Sequence, residues 1–257
     1  MFSTLGVKKT WLWTLGAGLL LLGLLAFTEV RHNQKRCQAI IVRIKELDGH
    51  RFLSQRDVKR YLTRDGTDPI VGDLFTDIDL RELEKRLAQY GLISKCQLSR
   101  DLSGNLIVDI EQPRPLARLI TSGNGLRTAS GRYISEEGRF FALSMNYSAR
   151  VPLVTGGYFE NRRSLSTEKT QPLLNLLRFI HADPFWRAQV AELEVDRNGE
   201  VILFPQVGEH QIEIGEPTDV ETKFKKLKVF YKHVLPLNGA QAYKRVSVQY
   251  RNQIVCE

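Results

Sequence analysis

Five histidines, His32, His50, His181, His210 and His233, occur singly along the 257 residues. No His-Glu-x-x-His pair places two imidazoles on one helical face, so a zinc hydrolase site is not encoded locally. Three cysteines, Cys37, Cys96 and Cys256, cannot make a four-cysteine zinc site within one chain. In an exported chain two of them could pair and leave one thiol free. Cys96 falls on the apolar side of an alternating segment, where packing is its expected role. Carboxylate pairs such as Glu136-Glu137 suit acid–base work in principle, but this one lies in an expected turn, where adjacent carboxylates are usually only solvated. No Gly-x-Gly-x-x-Gly, Walker loop or Gly-x-Ser-x-Gly elbow is present. Asn146-Tyr-Ser148 matches a glycosylation sequon, a short pattern that recurs by chance. No metal or cofactor is expected, and the chemistry that remains is recognition.

Charge permits several partners without selecting one. Lysine and arginine number 37 against 29 acids, a net charge of +8. A basic excess suits nucleic acid or an anionic surface, but no nucleic-acid module is recognisable and none is expected to bind. Five lysines, Lys223, Lys225, Lys226, Lys228 and Lys232, lie along an amphipathic segment led by Val220, Phe224 and Leu227. They read as a solvated basic face of a helix.

The elements that must position any binding surface begin with an apolar run. No charge occurs from Thr10 to Thr28, and a helix over 10–28 is long enough to cross a hydrocarbon layer of roughly 30 Å. Trp11 and Trp13 sit where indoles favour the interface. A cleaved signal would have a shorter core and a small-residue exit, whereas this run ends Ala26-Phe27-Thr28-Glu29. Cys37 follows Lys35-Arg36 and lacks a lipoprotein approach. Lys8 and Lys9 compete with Arg31, Lys35 and Arg36, so the positive-inside count does not fix orientation. The usual single-anchor arrangement makes 1–9 a cytoplasmic tail and places the rest outside the cytoplasm.

Residues 37–112 read as a βααββ unit. Ala39 to Leu47 is β-branched and precedes an Asp48-Gly49 turn. Ser54 and Asp57 form a capping box opening a helix with Val58 and Leu62 inward. Asp79 and Glu82 open a second, with Leu80, Leu83, Leu87 and Tyr90 at helical spacing and Gly91 as its stop. Two alternating runs around Asp101–Asn105 make a hairpin with one apolar and one wet face. Gln112-Pro113-Arg114-Pro115 breaks the pattern, and 113–257 becomes a second domain. There, Tyr133-Ile134 and Phe140-Phe141 flank a turn. Thr170 to His181 is a helix, 193–214 is a three-strand meander, and 220–234 is a helix. Val246, Val248 and Tyr250 alternate in a last strand. The fold class is α+β: a single N-terminal transmembrane helix, a βααββ domain, then a β-rich domain with packed helices.

This order of parts resembles the FtsQ/DivIB family of bacterial cell-division proteins, and the βααββ unit resembles a POTRA domain. The matching residues are Phe52-Leu-Ser54, Leu80-x-x-Leu83-x-x-x-Leu87, and the hairpin from Ile93 that runs into Pro113-Arg-Pro-Leu-Ala117. In the second domain they are Tyr133-Ile-Ser-Glu-Glu-Gly-Arg-Phe140, Val151-Pro-Leu-Val-Thr-Gly156, Ile214-Gly-Glu216, Lys223-Phe-x-x-Leu227 and Val246-Ser-Val-Gln-Tyr250. Ser135 stands where the family often has Asp. The resemblance implies a non-enzymatic inner-membrane scaffold of the division septum, its large part periplasmic. It implies docking of FtsB- and FtsL-like bitopic coiled-coil proteins by strand addition at the C-terminal sheet edge. Carried over by position, the binding residues are Tyr250, Arg251, Asn252, Gln253, Ile254 and Val255, with Val246 and Val248 beneath and Tyr250 and Val248 as anchors. Val246 and Val248 read equally well as plain core. The POTRA-like domain would meet other divisome proteins, through the edge 39–45. The alternative is a POTRA-containing accessory of a secretion or envelope-assembly system. An outer-membrane barrel is excluded by the length left over.

Overall fold

The computed structural model describes residues 14–21, 23, 35–45, 49, 51–121, 130–239 and 241–257. Residues 14–21 and 23 are helical, and among the described residues no helix is long and apolar enough to cross a membrane. The expected tail 1–9, and residues 10–13, 22 and 24–28 of the expected span, lie outside the described residues. The rest forms two compact units. One comprises 35–45 and 54–111, and the other 51–53 with 112–257.

The first unit is a three-stranded sheet, β1 (Ala39–Lys45), β2 (Lys95–Arg100) and β3 (Asn105–Glu111), in the order β1-β3-β2. β1 runs parallel to β3, and β2 antiparallel to it. Helices α1 (Gln55–Leu62) and α2 (Leu80–Ala88) pack on β1 and β2 respectively. α1 opens where the capping box predicts. The Asp57 N–H donates to Ser54 Oγ, and the Ser54 N–H donates to Asp57 Oδ2. Asp79 caps α2 by accepting from the N–H groups of Arg81 and Glu82. Gly91 does not act as a left-handed stop, because α2 ends at Ala88 on a right-handed Gln89. Val58, Leu62, Leu83 and Leu87 are buried, as are Val42, Leu106, Val108 and Ile110 of the sheet. Ile107 is buried too, so the reverse face of β3 is not the wet face that alternation predicts.

The second unit is a nine-stranded mixed sheet. Its strands are β4 (Pro115–Thr121), β5 (Ser130–Ser135), β6 (Phe140–Ala142), β7 (Leu153–Thr155), β8 (Val190–Val195), β9 (Val201–Pro205), β10 (Gln211–Gly215), β11 (Arg245–Ser247) and β12 (Val255–Cys256). Their order is β12-β11-β10-β9-β8-β7-β4-β5-β6. β4, β7 and β8 are mutually parallel, and β8, β9 and β10 form the expected meander. Helices α3 (Gln171–Ala182), α4 (Pro184–Gln189) and α5 (Val220–Val229) contribute to one continuous core. Leu173, Leu177, Trp186, Phe224 and Leu227 meet Leu119, Val154, Leu193, Leu203 and Ile212 there. A π-helical turn, Phe230–Val234, and α6 (Leu235–Asn238) follow α5. Phe52 belongs to this unit. It is fully buried, with its ring 5.5 Å from that of Tyr133 and 5.7 Å from that of Phe141.

Candidate functional site

The sheet of the second unit ends at β12, and the alternation of the chain explains why that end is open. Arg245 and Glu257 exchange both backbone bonds, N–H to O at 3.1 and 2.9 Å. Val246 then faces Cys256, and Ser247 faces Val255, in the antiparallel register. Hydrogen-bonded pairs alternate along such a ladder, so the N–H and C=O of Cys256 point away from β11. An incoming extended segment can bond there.

The expected last strand is therefore not the edge. β11 stops at Ser247, the chain turns back through Asn252 in the left-handed region (φ 66°), and β12 lies outside it. Val246 and Val248 are fully buried members of the core, and Val248 is not available as a surface anchor. Tyr250 sits beyond the strand, 54% exposed. Arg251, Asn252 and Gln253 are exposed, while Ile254 and Val255 are half-buried, with Ile254 against the core. The eight residues thus divide into two core valines, an exposed turn of four, and two at the edge.

Three cations whose contacts the sequence reading missed hold this region. Lys226 of α5 donates to three carbonyls of the turn, those of Val248 at 2.7 Å, Tyr250 at 2.6 Å and Gln253 at 3.4 Å. Lys223 is buried and donates to the Glu216 carbonyl at 2.6 Å. Desolvation lowers the pKa of both amines. The uniform basic face is corrected accordingly. Lys225, Lys228 and Lys232 are exposed, but Lys223 and Lys226 turn inward. A helical step of about 100° per residue puts Lys223 about 40° from Leu227, beside the stripe of Val220, Phe224 and Leu227, but puts Lys226 about 100° away from it. The inward turn of Lys223 was readable and that of Lys226 was not.

Arg245 is the third cation. Its Nη2 reaches both carboxylate oxygens of Glu257 at 2.7 Å, and its Nη1 reaches Glu213 of β10 at 3.2 Å. The guanidinium ties β10 and its own β11 to the residue that follows β12, and its pKa is raised, first by the bond to Glu257. Opposite the turn, a Cβ on Gly215 (φ 68°) would fall 2.9 Å from Gln249 Cγ, so only glycine lets that side chain lie down.

The side chains of reactive type are tied into structure. Ser135 is buried, donates to Glu137 Oε2 at 2.8 Å and accepts from the Arg139 N–H, so it organises the turn that holds both glutamates. The Glu136 carbonyl accepts from Arg178 Nη2 at 2.7 Å. His210 is buried with Nε2 3.0 Å from Tyr231 Oη, and burial pushes the Tyr231 phenol up to about 12. The three cysteines are free thiols, Cys37 buried and the other two half-buried. Among the described residues no group of three or more His, Cys, Asp or Glu gathers as a metal site.

A βααββ unit followed by a mixed sheet with an open, braced edge is the arrangement of a POTRA-like domain joined to a β-rich second domain. A family model described as FtsQ/DivIB, C-terminal related, matches residues 114–257, and a POTRA-like domain model matches residues 35–111. The chain belongs to the FtsQ/DivIB family, a non-enzymatic cell-division family associated with the division site. No curated relative matches the chain.

Proposed function

We propose that this chain is a non-enzymatic, single-anchor scaffold of the division septum. It docks FtsB- and FtsL-like bitopic coiled-coil proteins by strand addition to β12. Residues 10–28 anchor it in the inner membrane, with the two units in the periplasm. The observation that carries the reading is the open edge at Cys256, braced by Arg245 and Lys226, with Tyr250 exposed beside it. Main-chain bonds supply affinity there, and Tyr250 supplies the aromatic anchor. Arg251, Asn252, Gln253, Ile254 and Val255 make the remaining contacts, over a floor of Val246 and Val248. The POTRA-like domain contributes a second contact through the outer side of β1, to other divisome proteins.

The test uses the full-length tagged chain, solubilised from its native membranes in mild detergent. Small single-span coiled-coil proteins should co-purify. Tyr250→Glu should reduce their recovery at least tenfold while the thermal midpoint stays within the range of an ordinary surface change, about 0.5 kcal/mol. Undiminished recovery would remove the C-terminal edge from the docking site. Recovery of a secretion channel instead would move the protein to transport.

A further inference from the structure

The second unit carries a crevice far along the sheet from β12. β4 and β7 lie side by side and parallel, with Arg118 opposite Leu153 and Leu119 opposite Val154. The chain leaving β4 goes to β5 on one side, and the chain leaving β7 goes to β8 on the other. Where neighbouring parallel strands send their connections apart, a crevice opens beyond their carboxyl ends, and open sheets use such places for ligands. Here the crevice is a cavity of about 630 Å³, bounded by Thr121 at the end of β4, the turn after β7 and the turn after β8.

Its lining is strongly one-signed. Arg132, Arg162, Arg163 and Arg197 face Glu160 as the sole carboxylate among the lining residues. Three of the four arginines are held in place. The Arg162 guanidinium carbon lies 4.1 Å from the centre of the Tyr158 ring, and its Nε donates to the Tyr158 carbonyl at 2.7 Å. The Arg132 guanidinium carbon lies 5.1 Å from the Phe140 ring centre. The stem of Arg197 lies over Gly157, where a Cβ would fall 2.7 Å from Arg197 Cγ. Arg197 meets Glu160 at 3.3 Å, a pair with both partners well exposed and so weak. Guanidinium groups already oriented lose little freedom on binding, and their planar fork matches phosphate oxygens two at a time. Gathering four of them costs mutual repulsion that a multiply charged anion would relieve.

We propose that this crevice binds a phosphate-bearing ligand of two or more negative charges, held by Arg132, Arg162 and Arg197, with Arg163 at the rim. The chemistry is shared by free diphosphates and by doubly charged phospholipid headgroups. Titration of the full-length chain in amphipol with inorganic pyrophosphate, followed by calorimetry, tests it. Saturable binding that weakens steeply with salt is expected. Arg132→Gln with Arg197→Gln should raise Kd about tenfold for each guanidinium lost. Gly157→Ala should weaken binding several-fold while removing no charge. Thermal midpoints of the variants serve as the folding control.

Flotation with phosphatidylcholine vesicles, with and without cardiolipin, whose headgroup carries two phosphodiester charges, separates the sources. Pyrophosphate-sensitive flotation on the anionic vesicles, lost in the double variant, assigns a headgroup. Pyrophosphate binding with no variant-dependent flotation assigns a soluble phosphate. Absence of pyrophosphate binding overturns the proposal, and so does equal binding by the double variant. Binding of a polyglutamate peptide that pyrophosphate does not displace would also overturn it, giving the crevice to an acidic protein segment.

Discussion

Tyr250 and Lys226 divide the labour at the edge: one is displayed, the other fixes the turn that displays it. An ammonium group shared among three carbonyls resists replacement, because each carbonyl would have to find water or another donor. Lys226→Met keeps the aliphatic stem and removes the donors. It should lower stability by about 1–3 kcal/mol and speed amide exchange at residues 248–254 more than in β8 and β9. Equal protection of that turn in both proteins would show that Lys226 does not hold it. Period-two alternation put Tyr250 in the last strand, and that place was misjudged. Alternation counts residues and does not see that the strand ends at Ser247, where the chain turns through Asn252. Lys226 and Arg245 were illegible for a different reason, since their partners lie in other elements. Ser135, noted only as a departure, proved to be the residue on which its own turn closes.

At the scale of elements, local signals fared best where the chain talks to itself. The Ser54–Asp57 capping box, the β2–β3 hairpin and the β8–β9–β10 meander depend on neighbours a few residues apart. Pairings that cross the sequence, such as β4 with β7 and β10 with β11, have no local signature. β7 shows how such a pairing is protected. It ends at Gly156, whose φ of 108° is glycine territory and whose Cβ would collide with the Val195 carbonyl of β8. Gly156→Ala should cost about 3 kcal/mol or more, combining a strained backbone with a clash against fixed main chain. Equilibrium denaturation checks it, and a loss below about 1 kcal/mol would mean that β7 and β8 can separate freely.

At the scale of the whole molecule, two units of unequal size carry the family's architecture, and the chain does not assign residues to them in simple order. Phe52 precedes α1 in sequence yet fills a pocket against Tyr133, Phe141 and Tyr147 in the second unit. Phe52→Ala should therefore destabilise that unit by about 3–5 kcal/mol, read as faster amide exchange in β5 and β6. Exchange that quickened only in α1 and α2 would contradict this. A second property concerns alkaline pH. Tyr231 ionises near 10 in an unfolded chain and near 12 here, because burial opposes the phenolate. Between those values the folded protein holds the proton that the unfolded chain has released, so stability falls as pH rises from about 10 to about 12. Tyr231→Phe should flatten that fall in thermal midpoint while lowering the midpoint at neutral pH, where the bond to His210 is lost. An unchanged alkaline slope would locate the titration elsewhere.

The sheet order also sets a clock. β10 is complete at Gly215, but β11 begins thirty residues later at Arg245, and β12 closes on it only through Val255 and Glu257. Domains fold as the chain is made, from the amino end forward. Until the residues after Arg245 have emerged, the growing sheet presents β10 as its border, without Tyr250, the Arg245 bridge or the carbonyls that Lys226 gathers. A chain stopped before Arg245 thus presents a different sheet border from that of a chain that includes residues 245–257.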